Sequence, residues 1–257
     1  MISFYDMIAA HYAEFNGEVS YSRMADFVAE AFATHYEGRV QDVLDLGCGS
    51  GNMTFPLLSR GYGMIGVDAS EEMLAEARLQ PRGDEVLWLC QDMRSFELYG
   101  TVEGVVCTLD GINHLPSASD VKACFSLVHN YLVPDGIFVF DVNTPYKFRE
   151  VYGHNAYVLE DESPEGGAVY CGWQNEYDAQ SGICDFWLSL FEETEEGVYR
   201  RSDEHQRERC YSMETLRAHL ERNGFEWLGA FADFDFQAPD DTTERWYVAA
   251  RAKKDIK

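Results

Sequence analysis

Residues 43–51 read VLDLGCGSG, and this stretch decides the fold. A short aliphatic run that contains an acid and is followed by glycines at alternate positions is typical of a buried parallel strand that turns sharply into a helix. Glycine permits positive φ angles, and because it lacks a Cβ atom it lets a ligand approach the main chain. The N–H groups at the start of the next helix can bind that ligand. The stretch therefore predicts a nucleotide-type binding turn.

The spacing of the glycines narrows the choice of ligand. A dinucleotide-binding turn has the spacing G-x-G-x-x-G, whereas Gly47, Gly49 and Gly51 follow G-x-G-x-G. A phosphate-binding loop would need Gly-Lys-Ser/Thr, which does not follow here. A second strand-like run, GMIGVD, ends in Asp68. Because one carboxylate can accept hydrogen bonds from both hydroxyls of a ribose, Asp68 indicates a nucleoside with a free ribose.

These motifs together resemble the class I S-adenosylmethionine (SAM)-dependent methyltransferases over roughly residues 40–142. The resemblance implies SAM as the cofactor and an α/β fold, with a Rossmann-like seven-stranded sheet and helices on both of its faces. It implies that the three glycines approach the methionine part of SAM, that Asp68 binds the ribose and that Asp92-Met93 meet the adenine. The full cofactor set that it implies is Tyr12, Asp45, Gly47, Cys48, Gly49, Gly51, Asp68, Ala69, Met73, Asp92, Met93 and Leu109.

Further strand and helix signals follow in the order that this fold requires. Ser70 precedes two glutamates and predicts the capped start of a helix. Ser212 predicts a second capped helix, with Thr215 at its third position. Later strands are predicted at 86–90, 104–109 and 137–142, and a closing antiparallel pair is predicted at 225–236 and 245–252. Apolar residues at helical spacing predict an N-terminal helical cap over about residues 1–38, where Tyr12 lies either near SAM or in the core.

The pattern changes after residue 144. Residues 145–211 contain strand-like runs separated by glycine-containing turns, which predicts antiparallel hairpins. We therefore predict a SAM-binding methyltransferase core formed by residues 1–144 and 212–257, interrupted by an antiparallel β insert that serves as a substrate or dimerisation subdomain. The expectation of a homodimer follows from the resemblance to the bacterial small-molecule branch of the family.

Composition and charge exclude several classes of protein. No apolar run approaches the roughly 20 residues that a membrane helix needs, and the N terminus lacks the pattern of a signal peptide. The net charge of −25 repels phosphate backbones, so a free nucleic acid is disfavoured as a substrate. The seven cysteines include no C-x-x-C pair and fall largely in apolar segments. They are predicted to be reduced core thiols of a cytoplasmic protein.

The loop after the fourth strand is the predicted acceptor site. It reads DGINHLP over residues 110–116 and lies beside the switch in strand order, where α/β folds hold reacting groups. His114 is the candidate general base because its ordinary pKa lies near neutrality. The alternative for His114 is a loop histidine that bonds to the backbone. Tyr146, which follows the fifth strand, is a second candidate for the catalytic pocket.

The sequence leaves more than one function open. The favoured function is SAM-dependent methyl transfer to nitrogen or oxygen of a small-molecule acceptor, because the layout resembles sugar amine N-methyltransferases. The alternatives are a protein or tRNA methyltransferase whose acidic insert docks a basic partner, and a SAM-binding partner subunit without turnover. A magnesium-dependent variant would use Asp110, Asp141 and Asn143, although their spacing differs from that of catechol methyltransferases.

Overall fold

The computed structural model describes residues 20–162 and 167–254 of the chain. The described residues divide into two compact units. The larger unit contains residues 21–145 and 211–254, and the smaller unit contains residues 146–210. Much of the predicted N-terminal cap, including Tyr12, lies outside the described residues.

Eleven β-strands and five α-helices lie in the described ranges. In chain order the strands are β1 (Asp42–Leu46), β2 (Gly63–Asp68), β3 (Leu87–Cys90), β4 (Val102–Cys107), β5 (Leu132–Asn143), β6 (Ala156–Glu162), β7 (Ala168–Asp178), β8 (Ile183–Glu195), β9 (Val198–Arg209), β10 (Phe225–Phe231) and β11 (Arg245–Ala252). The helices are α1 (Tyr21–His35), α2 (Thr54–Ser59), α3 (Glu71–Leu79), α4 (Ala118–Tyr131) and α5 (Met213–Arg222). A 3-10 turn at Gly83–Glu85 and a π-helical turn at Lys147–Tyr152 complete the list.

The larger unit is built on a seven-stranded sheet in the order β10-β11-β5-β4-β1-β2-β3. β1 pairs in parallel with both β2 and β4, whereas β11 pairs antiparallel with both β5 and β10. This is the predicted Rossmann-like methyltransferase sheet with its closing antiparallel pair. Because the strand order reverses at β1, the turns that follow β1 and β4 lie on either side of one crevice at the carboxyl edge of the sheet.

Large aromatic side chains fill the core and hold the central strands in place. Phe125 lies on α4, and its ring centroid is 5.6 Å from that of Phe138 and 5.7 Å from that of Phe140, both on β5. From α1, Phe32 packs so closely on β4 that a Cβ atom at Gly104 would lie 2.6 Å from its ring. Each fully buried phenylalanine contributes about 1.5–3 kcal/mol of hydrophobic stabilisation. This packing gives the turns after β1 and β4 a rigid base.

Helix starts follow the serines that the sequence indicates. Ser70 accepts a hydrogen bond from the N–H of Met73 at 3.2 Å, and Ser212 accepts one from the N–H of Thr215 at 3.2 Å. Both predicted caps are therefore confirmed. Several strand boundaries differ from the predicted ones. β4 spans Val102–Cys107 and not 104–109, β5 begins at Leu132 and not at residue 137, and β10 ends at Phe231 and not at residue 236. The chain turns back there, and the ring of Phe236 packs 4.5 Å from that of Phe27 on α1.

The smaller unit is a four-stranded antiparallel sheet in the order β6-β7-β8-β9. Alternate residues of β7 and β8 are buried, which is the pattern of a sheet with one covered face. On that face the Phe186 ring lies 5.1 Å from Tyr152 and 6.1 Å from Trp173. The predicted inserted antiparallel sheet is therefore confirmed.

All seven cysteines are unpaired thiols, and five of them are buried. Burial raises the pKa of the Cys171 thiol to about 11, so this group is protonated at neutral pH. The prediction of core thiols therefore holds for these five, whereas Cys90 is exposed and Cys210 is half-buried. Separately, none of the described helices is both long enough and apolar enough to cross a membrane.

The packing of β2 on β3 gives a test of the fold beside the site. A Cβ atom at Gly66 would lie 2.5 Å from the Trp88 ring and 2.9 Å from the sulfur of Cys48. We therefore expect Gly66→Ala to lower the free energy of unfolding by about 1–3 kcal/mol, as overpacking does. Thermal denaturation measures the loss. The control Gly100→Ala places its methyl group in open space and is expected to change stability by less than about 0.5 kcal/mol. Equal melting temperatures for the two variants would contradict this packing.

Candidate functional site

The glycine turn, residues 47–51, has a backbone conformation that residues other than glycine rarely adopt. Its glycines have φ angles of +76° at Gly47, +53° at Gly49 and +88° at Gly51. The N–H groups of Gly47 and Cys48 both donate to the carbonyl of Val67, at 2.7 and 3.1 Å, which ties the turn to β2. Glycine is required here because all three positions are left-handed.

Two methionines form the walls of the glycine turn. A Cβ atom at Gly47 would lie 3.4 Å from Cε of Met93, and one at Gly49 would lie 3.2 Å from Cε of Met73. The methyl ends of both side chains therefore lie directly against glycine backbone. A thioether is flexible and polarisable, so it adapts to an irregular ligand surface. The structure thus brings two of the predicted cofactor residues to the turn.

Asp68 fixes the glycine turn to the end of β2. Its carboxylate accepts hydrogen bonds from the N–H of Gly49 at 2.9 Å and from the N–H of Ser70 at 2.8 Å. Each carboxylate oxygen has a second lone pair, which leaves acceptor capacity for the two hydroxyls of a ribose. Ala69 lies between these contacts and is exposed. The position of Asp68 is compatible with its predicted role.

Asp45 is a buried carboxyl group in which one oxygen has no hydrogen-bond partner. It is 1% exposed, and its Oδ2 accepts a hydrogen bond from the hydroxyl of Thr54 at 2.6 Å. Its Oδ1 has no hydrogen-bond partner. Burial raises the pKa of Asp45 to about 7, the Thr54 hydrogen bond opposes this rise, and the negative charge of Asp68 adds to it. An orphaned buried acceptor indicates a missing donor, and the amino group of SAM has the matching chemistry.

Asp92 is held by a neighbour in a way that the sequence did not indicate. The guanidinium of Arg94 donates to both carboxylate oxygens, from Nε at 2.8 and 3.1 Å and from Nη2, and the backbone N–H of Arg94 adds a fourth hydrogen bond at 2.8 Å. These bonds hold the pKa of Asp92 below its ordinary value. An adenine amino group would have to share this carboxylate with Arg94. The contact between Asp92 and adenine stays a prediction.

The second turn of the site, the Leu109 turn at residues 108–111, contains two adjacent left-handed residues that are not glycine. The φ angles are +55° at Leu109 and +57° at Asp110, a conformation that costs roughly 1–3 kcal/mol for each such residue. Both N–H groups donate to the carboxylate of Asp141 on β5, each at 2.8 Å. Arg245 on β11 then bridges Asp141 and Asp110, with a distance of 2.8 Å to Asp110. The strained turn is therefore held by buried charges.

The rest of this loop is fixed at further points. The side-chain oxygen of Asn113 accepts a hydrogen bond from the N–H of Asn143 at 2.9 Å, and the hydroxyl of Tyr211 donates to the carbonyl of Leu115. His114 lies between these anchors and is half-buried. One of its ring nitrogens lies within 4.8 Å of a carboxylate oxygen of Asp110. A candidate base is thus placed near a carboxylate that could orient it.

The geometry argues against the magnesium hypothesis. Arg245 places its positive guanidinium between Asp110 and Asp141, where a cation that used both carboxylates would have to bind. Asp141 also accepts two backbone N–H groups, and its side chain is fully buried. This geometry therefore disfavours the set of Asp110, Asp141 and Asn143 as a metal site, and the magnesium alternative stays an untested prediction. The sequence did not indicate that a residue of the last strand neutralises these acids.

The predicted site residues now have definite places. Around the glycine turn the structure gathers Asp45, Gly47, Cys48, Gly49, Gly51, Asp68, Met73 and Met93. Leu109 is half-buried in the second turn, and Tyr146 is half-buried at the start of the π-helical turn in the smaller unit. Thr54 and Arg245 were not predicted. The role of each predicted residue toward SAM or an acceptor stays a prediction.

Comparison with known proteins agrees with this geometry. The profile of a methyltransferase-domain family matches residues 43–136. YqeM of Bacillus subtilis, which carries the provisional name of a methyltransferase, is 30% identical over 98% of both chains. A crystal structure of a SAM-dependent methyltransferase from Clostridium acetobutylicum covers 97% of this chain and 99% of its own, with 28% identity and a TM-score of 0.85. The chain therefore belongs to the class I SAM-dependent methyltransferases, and its cofactor is SAM.

A more distant relative has a defined substrate in its name. The dTDP-3-amino-3,6-dideoxy-alpha-D-glucopyranose N,N-dimethyltransferase of Streptomyces fradiae is 28% identical over 54% of this chain and 52% of its own length. The similarity thus spans about half of each protein.

The raised pKa of Asp45 predicts a pH-dependent affinity for the product S-adenosylhomocysteine, which has the amino group of SAM. Because this ammonium is expected to bind the ionised carboxylate, the affinity should rise by about tenfold between pH 6 and pH 8. Calorimetric titration measures it. Asp45→Asn should remove this dependence. In the control Thr54→Val the carboxylate of Asp45 remains but loses the hydrogen bond that lowers its pKa. The affinity should therefore still depend on pH, and its rise should occur at higher pH than in the wild type.

The same shift has a consequence for the ligand-free protein. A carboxyl whose pKa is raised by folding binds its proton more tightly in the folded state, so stability falls as pH rises through the window between the two pKa values. For Asp45 that window runs from 3.8 to about 7.

One result would contradict the binding prediction for Asp45. If the affinity for S-adenosylhomocysteine were constant across neutral pH in both the wild type and Asp45→Asn, the unpartnered oxygen of Asp45 would not contact the amino group of the ligand.

Proposed function

We propose that this protein transfers a methyl group from SAM to the nitrogen of a small-molecule amine, with amino sugars as the favoured acceptor class. The observation that carries the proposal is the position of His114, on an anchored loop near the carboxylate of Asp110. The similarity to an amino sugar N,N-dimethyltransferase supports the acceptor class. The net charge of −25 favours cationic acceptors over nucleic acid.

The cofactor end of the site is expected to use the residues around the glycine turn. Bound SAM supplies an electrophilic methyl group. Asp45 would accept the hydrogen bonds of its ammonium group, and Asp68 would accept those of the ribose hydroxyls. Met73 and Met93 would pack on its apolar surfaces. These contacts hold the donor in one orientation, which is the main requirement of an in-line displacement.

The acceptor end requires a base because most amines are protonated at neutral pH. His114 would take the proton from the ammonium, so that the lone pair of the nitrogen becomes available to form the new N–CH₃ bond. The carboxylate of Asp110 would stabilise the imidazolium that results. Asp110 is itself held by Arg245, at 2.8 Å, so its position does not depend on the acceptor. The proton ends on His114 and leaves from there to water.

The homodimer and the compartment also remain proposals. The smaller unit exposes Trp187 and Tyr199 on its sheet, and these side chains support an interface between two copies of the chain. The seven unpaired cysteines support a reducing compartment such as the cytoplasm.

The acceptor is tested with labelled SAM and matched compounds. The panel contains a nucleotide-linked 3-amino sugar, the same nucleotide sugar with a hydroxyl in place of the amine, bulk tRNA and a basic protein. We expect label in the amino sugar and none in its hydroxyl counterpart, because the hydroxyl is a far weaker nucleophile without a stronger base. Label confined to tRNA or protein would establish the first rival function. Binding of SAM without transfer to any fraction would establish the non-catalytic subunit.

The role of His114 is tested with the acceptor that takes the label. His114→Gln should lower kcat by about 10²–10⁴-fold, as loss of a general base does, with an unchanged affinity for S-adenosylhomocysteine. The matched control is His129→Gln on α4, where the imidazole contacts the carbonyl of Lys253. This control should keep full turnover. Undiminished turnover in His114→Gln would assign the histidine a backbone-bonding role only.

A further inference from the structure

A cluster of three charged residues joins strands that are far apart in the sequence, and we call it the Arg245 clamp. It consists of Arg245, Asp110 and Asp141, whose side chains are 12%, 11% and 0% exposed. The guanidinium binds one oxygen of each carboxylate. Asp141 uses the same carboxylate to accept the N–H groups of Leu109 and Asp110. The clamp therefore controls both the backbone and a side chain of the Leu109 turn.

The chemistry of the clamp requires arginine. A planar guanidinium presents N–H groups to two carboxylates at once, whereas the ammonium of lysine is a single point charge. Without the guanidinium, two buried carboxylates would face each other at close range. One of them would have to take a proton, or the turn would have to open. Burial already raises the pKa of Asp141, and the charge of Arg245 opposes that rise.

The Leu109 turn reaches the cofactor site through one side chain. A Cβ atom at Gly111 would lie 3.9 Å from Cε of Met93, the same methyl group that lies 3.4 Å from the Cβ position of Gly47. Met93 is therefore held between the glycine turn and the Leu109 turn. Because β1 and β4 are neighbours in the sheet, both turns border the crevice that receives SAM. If the Leu109 turn opened, Met93 would lose its support on one side.

We propose that Arg245 is a positioning residue for SAM binding. It acts by holding the Leu109 turn in its left-handed conformation, which keeps Met93 against the glycine turn and completes the wall of the cofactor site. Arg245 does this through Asp110 and Asp141 and does not itself contact the ligand. This role depends on SAM as the cofactor and is independent of which acceptor is methylated.

A double-mutant cycle tests the link between the clamp and the strained backbone. Arg245→Met should weaken the binding of S-adenosylhomocysteine by about tenfold or more, because the turn is released. Glycine adopts the left-handed conformation without strain. The loss of affinity that Arg245→Met causes should therefore be at least about threefold smaller in a Leu109→Gly background than in the wild type. Calorimetric titration gives all four dissociation constants, and no acceptor is needed. An equal loss in both backgrounds would overturn the proposal.

A control on the same strand separates positioning from stability. Arg251 lies on β11 too, where it bonds to Glu226 and to the carbonyl of His35, outside the two turns. Arg251→Met should lower the melting temperature and leave the affinity for S-adenosylhomocysteine unchanged. If Arg251→Met weakened binding as much as Arg245→Met, the effect would be one of general stability and the proposal would fail.

Two further measurements keep the proposal testable if Arg245→Met does not fold. Arg245→Lys preserves the charge without the fork, so its affinity for S-adenosylhomocysteine should be lower than that of the wild type. Hydrogen exchange of the Leu109 and Asp110 amides, which Asp141 protects, should be faster in Arg245→Lys than in the wild type. Wild-type affinity and wild-type exchange in Arg245→Lys would exclude the clamp as a positioning device.

Discussion

The site depends on one interaction that occurs twice, a strand-end carboxylate that accepts backbone N–H groups from a neighbouring left-handed turn. Asp68 at the end of β2 holds Gly49, and Asp141 near the end of β5 holds Leu109 and Asp110. Parallel strands bring such acids and turns to the same edge of the sheet. Each bond is charge-assisted, so it is stronger than a bond between neutral groups. These carboxylates fix the two sides of the crevice.

The two turns differ in how they accommodate the strain of a left-handed backbone. The glycine turn has little strain, because its three left-handed positions lack a Cβ atom, and the open backbone remains accessible to a ligand. The second turn keeps the side chains of Leu109 and Asp110 and accepts the strain. It therefore needs an additional partner, Arg245, which neutralises the acids that hold it. A strained conformation of this kind persists only where its surroundings enforce it.

The distance along the chain explains what the sequence could predict. The glycine turn, Asp68 and the serine caps depend on residues within one strand–turn–helix unit, so their spacing is visible in the sequence. Alternating burial and glycine turns likewise indicated the inserted hairpins. Arg245 meets Asp110 across 135 residues, and the contact depends on the antiparallel register that places Arg245 opposite Asn143. The sequence marks Asp141 as an acid at a strand end and as a ligand in the magnesium alternative, but it does not show that Arg245 is its partner, because the register of β11 is not visible in the sequence.

The same reasoning about charge connects the site to its cofactor. Four acids, Asp45, Asp68, Asp110 and Asp141, lie around the crevice, and Arg245 neutralises the two on the side of β4 and β5. On the side of β1, Asp45 is buried, and both its burial and the negative charge of Asp68 raise its pKa and disfavour its ionisation. A cationic ammonium would supply the missing positive charge, because opposite charge favours the ionised form. The β4 and β5 side of the crevice therefore has its own counter-ion, Arg245. On the β1 side the ligand would supply the positive charge. This difference favours a cationic methyl donor over a neutral nucleoside.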